Sequence, residues 1–336
     1  MIMNLEVFHG KTQTIKGKTG REITLETAPI TIAGKLSTVY RGTDYDGTSI
    51  ASKVFHTANV DSDTRSYRFV RAANEAAMTK RAADIVPEGV IRFRRLDIDV
   101  ATGRPVLVTK YEAAGTLAQR MYVQNGEISN RDAVRLLAGV AESVGMLNKN
   151  GIVHRDIKPD NVFVDYDDAD FKGRLGDLSL ALDMSVGDAI SAEGYLFGTP
   201  RYLSPESMRG RGDSPPVDVW GLGVTTFTVL AGKNPFPHTD LRALFEIITH
   251  DVPVLRDVFG NSILDKGLRE TIQSAMAIDP EDRPSATEFS YQLAQLAEDA
   301  AKAGVEEVPL PAIPKQETPE KDRTRGRVAV QVVFES

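Results

Sequence analysis

The chain has 336 residues, of which 41% are hydrophobic and 26% charged, with a formal net charge of −7. This is an ordinary globular composition, with room for two lobes or domains, and its dispersed basic residues argue against nucleic acid or an anionic membrane as main partner. There is no cysteine, which excludes disulfides, thiolate zinc sites and thiol catalysis.

The first residues, Met1–Glu6, carry no basic region followed by an apolar stretch. No window approaches the roughly twenty apolar residues of a membrane helix. The expectation is a cytoplasmic protein without signal peptide or membrane span. Leu5–Phe8 and Glu22–Glu26 alternate apolar and polar residues around a Gly/Lys/Thr-rich turn region from Gly10 to Gly20, a pattern of short strands or a hairpin. Pro29–Gly42 reads as strand, turn and strand with Gly34 at the turn, and Ser49–Phe55 as an alternating strand carrying Lys53. Asp63–Asp84 has helical composition, with Phe69, Ala73, Ala76, Ala77 and Lys80 as its packing face. Val90–Asp97 and Pro105–Tyr111 read as strands about a turn at Asp99–Arg104.

Ser129 with Asp132 has the form of a capping box, and Val134, Leu137, Val140, Ala141, Val144 and Leu147 follow at helical spacing until Asn150-Gly151 ends the helix. This helix delivers Gly151–Val164, a polar stretch between apolar ends. Pro159 lacks an N–H and pushes Lys158 away from helical geometry, so the loop is expected to be extended and held, not helical. Within it Asp156, Lys158 and Asn161 offer a proton acceptor, a fixed cation and an amide metal ligand, which is what phosphoryl transfer from ATP needs. Asn161–Tyr166 and Phe171–Leu175 form a hairpin about Asp167–Asp170, an acidic run lacking the turn glycine and terminal glutamate of a calcium loop and therefore read as an exposed turn.

Val217–Leu230 is apolar nearly all round, a central buried helix in which Asp218 must be hydrogen-bonded. Leu241, Leu244, Phe245 and Ile248, then Leu268, Ile272 and Met276, mark two more packed helices. Ser285 with Glu288 caps a last helix carrying Phe289, Leu293 and Leu296. Val305–Arg325 is charged and carries Pro309, Pro311, Pro314 and Pro319, a linker by composition. Arg327–Phe334 reads as a strand, which needs a partner.

The sequence His154-Arg155-Asp156-Ile157-Lys158-Pro159-Asp160-Asn161 resembles the catalytic loop of eukaryotic-like (Hanks-type) Ser/Thr protein kinases, in their soluble bacterial form. Gly198-Thr199-Pro200-Arg201-Tyr202-Leu203-Ser204-Pro205-Glu206 resembles the segment that closes their activation loop, and the resemblance runs from about residue 29 to 300. It implies a bilobal α+β protein-kinase fold with an N-lobe (29–112) and a C-lobe (113–303); outside it the pattern of the sequence gives an N-terminal β extension (1–28), a Pro- and charge-rich linker (304–326) and a strand-like tail (327–336).

The resemblance also implies an activity, transfer of the ATP γ-phosphate to protein hydroxyls with Mg²⁺, including autophosphorylation of the activation segment. Asp156 would orient and deprotonate the acceptor, Lys158 steady the γ-phosphate, and Thr199 bond both. Asn161 and Asp177 would hold Mg²⁺. Lys53, fixed by Glu75 rather than by Glu88 in its loop after Pro87, would align the α- and β-phosphates. Gly34, Val39, Ala51, the gatekeeper Thr109, the backbone of Lys110 and Glu112, and Phe163 would complete the ATP site. Asp218 would hold the catalytic-loop backbone, Glu206 would pair with Arg283, and Arg155 would await a phosphate on the activation segment, where Ser185, Ser191 and Thr199 are candidate acceptors. Arg71, one turn before Glu75, is a second candidate contact for that phosphate.

The chain departs from the family pattern at two places. Only Gly34 remains of three phosphate-loop glycines, with Ile32 and Ser37 in the other places, and Asp177-Leu178-Ser179 stands where the family has Asp-Phe-Gly. These departures motivate one alternative, an ATP-binding pseudokinase scaffold; a small-molecule kinase is another. The expected partner is a protein substrate, with no nucleic acid. The C-terminal strand is expected either to add to the N-terminal strands of its own chain or of a neighbour, the latter making a homodimer, or to serve as a docking tail for another protein.

Overall fold

The computed structural model describes residues 12–33, 36–57, 62–122, 128–167, 170–185, 198–236, 241–248 and 257–310. The patch Leu5–Phe8, Gly34, Ser191 and the tail 327–336 lie outside these residues. The described chain falls into two compact units. One comprises residues up to Lys80 together with Arg92–Tyr111; the other comprises Arg81–Ile91 and the chain from Glu112.

The first unit is a six-stranded antiparallel sheet. Its strands are β1 (Thr12–Lys16), β2 (Glu22–Ala33), β3 (Ser37–Thr43), β4 (Ser49–Phe55), β5 (Phe93–Ile98) and β6 (Pro105–Lys110), in the order β1-β2-β3-β4-β6-β5. The two edges meet, because Val100 N–H donates to Lys16 C=O, Lys18 N–H donates to Ile98 C=O, and Gly17 bridges to Asp99. The sheet is thereby curled around Ile15, Ile23, Leu25, Ile50, Val54, Val106 and Val108. β1 lies inside the stretch expected to be a turn. Thr14 and Ile15 are β-branched and find backbone partners in β2, so the turn contracts to the residues around Gly20, where φ is +79°.

The helix α1 (Ser62–Ile85) packs Ala72 and Ala76 against Phe55 and Leu107. Its buried stripe is Ala72, Glu75, Ala76, Thr79 and Ala82, whereas Ala73, Ala77 and Lys80 face solvent. The expected packing face was therefore rotated. Apolarity alone misplaced it because two of the buried positions are polar: Glu75 is ion-paired, and the Thr79 hydroxyl donates to the Glu75 carbonyl.

The second unit is mainly helical: α2 (Leu117–Tyr122), α3 (Asn130–Lys149), α4 (Pro205–Met208), α5 (Pro216–Ala231), α6 (Leu241–Ile248), α7 (Ser262–Ala275) and α8 (Ala286–Lys302). Short strands β7 (Ile152–Val153), β8 (Val162–Asp167), β9 (Asp170–Leu175) and β10 (Leu182–Asp183) pair as β8-β9 and β7-β10. Ser129 caps α3 by accepting the Asp132 N–H, and α3 buries Val134, Leu137, Val140, Ala141, Val144 and Leu147 against α8, β9 and α5. α5 is buried along nearly its whole length. Ser285 and Glu288 close a capping box on α8.

Residues 305–310, expected to begin a linker, are held instead. Asn130 N–H donates to Val308 C=O and Leu310 N–H to Ile128 C=O, and Arg131 pairs with Glu307. The first N–H groups of a helix have no partner within it, and here Val308 supplies one. Among the described residues no helix is long and apolar enough to cross a membrane.

Candidate active site

In the first unit, strand register gathers four of the candidate residues. Val39 lies opposite Lys53 and Ala51 opposite Thr109, and Ala51 and Lys53 are two apart on β4, so these four side chains share one face of the sheet. Thr109 is buried, with its hydroxyl 3.5 Å from the Ala51 carbonyl, and Lys110 N–H donates to Arg92 C=O. α1 packs on that same face through Phe55, which brings Lys53 Nζ 2.6 Å from Glu75 Oε1. Glu75 is buried at 4% exposure, so an ionised carboxylate there needs its lysine. Glu88, in the second unit, is bound elsewhere: its carboxylate pairs with Arg174 at 2.7 Å. Arg71 sits over the Tyr67 ring.

In the second unit Gly151, just past the Asn150 cap of α3, has a φ of +77° that turns the chain into β7. The loop that follows is gripped from α5. Asp218 is 1% exposed and accepts the N–H groups of His154 (2.9 Å) and Arg155 (2.8 Å) and the Asn148 amide (2.9 Å). Arg155 takes a left-handed φ of +67°, uncommon for a side chain of that size. His154 is fully buried beside the Gly176 carbonyl; burial lowers its pKa, and the nearby Asp218 and Asp156 carboxylates only partly oppose this.

Lys158 is extended, but Pro159–Asn161 forms a single 3-10 turn, so the expectation of a wholly non-helical loop is corrected. Proline is suited to the first position of such a turn, where its missing N–H has no helical partner to lose.

The Asp156 carboxylate collects four donors. Thr199 gives its N–H (3.1 Å) and hydroxyl (2.9 Å) to Oδ1, while Lys158 Nζ (2.8 Å) and Asn161 Nδ2 (3.0 Å) approach Oδ2. Lys158 also bonds the Thr199 hydroxyl. Asn161 Nδ2 spends its other hydrogen on the Asp156 carbonyl at 2.7 Å, which leaves Oδ1 as the acceptor of that amide. Asp177 has a φ of +57° and lies between the buried Gly176 and Leu178.

Among the described residues no three of His, Cys, Asp and Glu gather as a metal cage. A carboxylate and an amide oxygen are the sparse donor set of Mg²⁺, which keeps waters and takes substrate phosphates as further ligands. Asp177 and Asn161 fit that ion.

Phe163 is half-buried, bridged through its backbone to Thr116, and lies against Gly176, where a Cβ would meet its ring at 2.5 Å. Glu112 is buried in the same unit.

Beyond Asp177, β10 pairs with β7, and Ser185 is exposed with its hydroxyl on Asp183. Gly198 and Thr199 lead into the turn Pro200–Tyr202 and then α4, capped by Ser204. Glu206 and Arg283 form a buried bidentate pair at 2.6 and 2.8 Å.

Two residues of this framework were not singled out from the sequence. Arg81 bonds Asp183 and the Asn150 carbonyl, and Asn148 joins Asp218 to the Ile152 carbonyl. The only sequence signal for Asn148 is a polar residue at the end of an otherwise apolar helical stripe.

A family model described as "Protein kinase domain" matches residues 33–292. Serine/threonine-protein kinase PknL of Mycobacterium tuberculosis is 29% identical over 272 residues, 80% of this chain and 64% of that protein. Probable serine/threonine-protein kinase pknA2 of Bifidobacterium longum is 28% identical over 279 residues, 81% of this chain and 34% of that protein. Calcium/calmodulin-dependent protein kinase cmkA of Emericella nidulans is 31% identical over 184 residues, 54% of this chain and 43% of that protein. The chain thus spans less than two thirds of the length of each of these relatives. The family model covers most of the chain, and the chain belongs to the protein kinase family.

Proposed function

We propose that this chain transfers the γ-phosphoryl group of ATP to serine or threonine hydroxyls of a protein. The observation that carries the proposal is the convergence of Lys158, Asn161 and Thr199 on the Asp156 carboxylate. A carboxylate held by four donors cannot swing away, so it presents a fixed acceptor to an incoming hydroxyl, and rate is gained by position. Lys158 keeps a positive charge beside it, where negative charge develops on the transferred group. Asn161 and Asp177 would hold Mg²⁺, which supplies neutralisation of phosphate charge when bound. In the first unit Lys53, locked by Glu75, would contact nucleotide phosphates, with Val39, Ala51 and Thr109 on its face of the sheet and the backbone of Lys110 as proposed adenine contacts. Phe163 and the backbone of Glu112 are the proposed nucleotide contacts of the second unit.

A protein rather than a metabolite is the proposed acceptor because Gly198–Glu206 forms a built platform. Its turn is followed by a capped helix whose Glu206 is bound by Arg283. The names of PknL and pknA2 support the Ser/Thr assignment. The cytoplasm is the proposed compartment.

The test is the fate of the labelled γ-phosphate when purified protein meets ATP and Mg²⁺ with generic protein acceptors, sugars and aminoglycosides. Label recovered as phosphoserine or phosphothreonine is the expected result. Label on a small alcohol, with none in protein, would overturn the assignment.

A further inference from the structure

Thr225 lies two turns beyond Asp218 on α5 and is fully buried. A threonine inside an apolar helix commonly bonds the carbonyl four residues back, as Thr228 does with Val224 at 2.7 Å. Thr225 instead sends its hydroxyl out of the helix to the carbonyl of Ile157, at 3.3 Å. Burial alone does not compel that bond: the neighbouring Thr226 is equally buried, and its hydroxyl has no hydrogen-bond partner among the described residues.

Asp218, Gly221 and Thr225 are spaced three and four apart and therefore form one stripe of α5. Gly221 lets the loop come this close, since a Cβ there would stand 3.2 Å from Ile157 Cβ and 3.3 Å from its carbonyl oxygen. At one end of the stripe Asp218 accepts the Arg155 N–H; at the other Thr225 donates to the Ile157 C=O. Asp156 lies between the two anchored peptide groups.

We propose that Thr225 is a positioning residue for Asp156. Asp218 fixes the backbone before the carboxylate, Thr225 fixes it after, and together they set the direction in which the side chain leaves the loop. The kinetic consequence rests on the phosphoryl-transfer reading above; the structural one does not.

The test uses the full chain carrying Thr225→Val, which keeps the shape and removes the hydroxyl, with Thr225→Ser as the rescue and Thr226→Val as the control. Hydrogen exchange is followed in the peptide spanning residues 154–161, and transfer kinetics are measured beside it. Thr225→Val should speed exchange there several-fold and lower kcat by about tenfold, the worth of one hydrogen bond at this position, with KM for ATP unchanged. Thr225→Ser should restore both, and Thr226→Val should move neither. Unchanged exchange in Thr225→Val, or an equal effect from Thr226→Val, would overturn the proposal. A wild type that transfers no phosphate would refute the functional reading alone, while the exchange comparison would still decide whether Thr225 holds the loop.

Discussion

Asp156→Asn is expected to lower phosphoryl transfer by about 10²–10⁴-fold, the range seen when a positioned acid–base group is removed, while ATP affinity is little changed. The asparagine is close to isosteric, so side-chain volume is kept while charge and hydrogen bonding change. Both oxygens of Asp156 face donors: Thr199 N–H and hydroxyl on one, Lys158 and Asn161 on the other. An amide must turn its NH₂ toward one of these pairs, which sets donor against donor and removes one anchor whichever way it turns. The negative charge proposed to accept the proton of the substrate hydroxyl is lost at the same time. Single-turnover transfer, with nucleotide binding measured by calorimetry, separates loss of transfer from loss of ATP affinity. Loss of ATP affinity in step with transfer would mean that Asp156 serves the nucleotide and not the acceptor.

Arg283→Met is expected to destabilise the protein by about 3–5 kcal/mol, because it leaves a buried carboxylate without its counter-charge. Arg283 gives two hydrogen bonds to Glu206, donates to the carbonyls of Pro216 and Ala277, and lies over the Trp220 ring at 5.1 Å. Chemical denaturation would measure the loss. Burial works against ionising Glu206, but hydrogen bonds and charge from Arg283 outweigh it and hold the Glu206 pKa below its ordinary value.

A depressed folded-state pKa means that the stabilisation is present above the unfolded value, about 4.3 for glutamate, and is lost as pH falls through the folded one. The stability gap between wild type and Glu206→Gln should therefore be widest near neutrality and shrink in acid. A gap independent of pH would show that Glu206 contributes shape and not charge.

Much of the fold is legible in the sequence because its elements carry local signals. α3 announces itself by a cap, an apolar stripe and a terminal glycine, and α8 by its capping box. The Asp156 cluster is legible for a related reason: Asp156, Lys158 and Asn161 are near neighbours in one loop, so their chemistry can be read without knowing the tertiary structure.

What escapes is decided by residues distant in the chain. β1 looks like a turn until β2 and Val100, just past β5, supply its partners. The phase of α1 is hidden because Glu75 and Thr79 are polar yet buried. Residues 305–310 look like linker until the start of α3 is seen to need an acceptor. Asn148, Arg81 and Thr225 act only through contacts that cross elements.

On the proposed function, Asp156 presides over transfer of phosphate from ATP to protein. The most direct measurement maps phosphorylated residues by mass spectrometry after dephosphorylated wild type and Asp156→Asn are each incubated with ATP, Mg²⁺ and a generic protein acceptor. Nucleotide binding is confirmed on the same preparations. Phosphoserine or phosphothreonine in the wild-type reaction and its absence from the variant is the predicted result. Wild-type protein that binds ATP and Mg²⁺ but leaves itself and the acceptor unphosphorylated would contradict the account and identify a nucleotide-binding scaffold in its place.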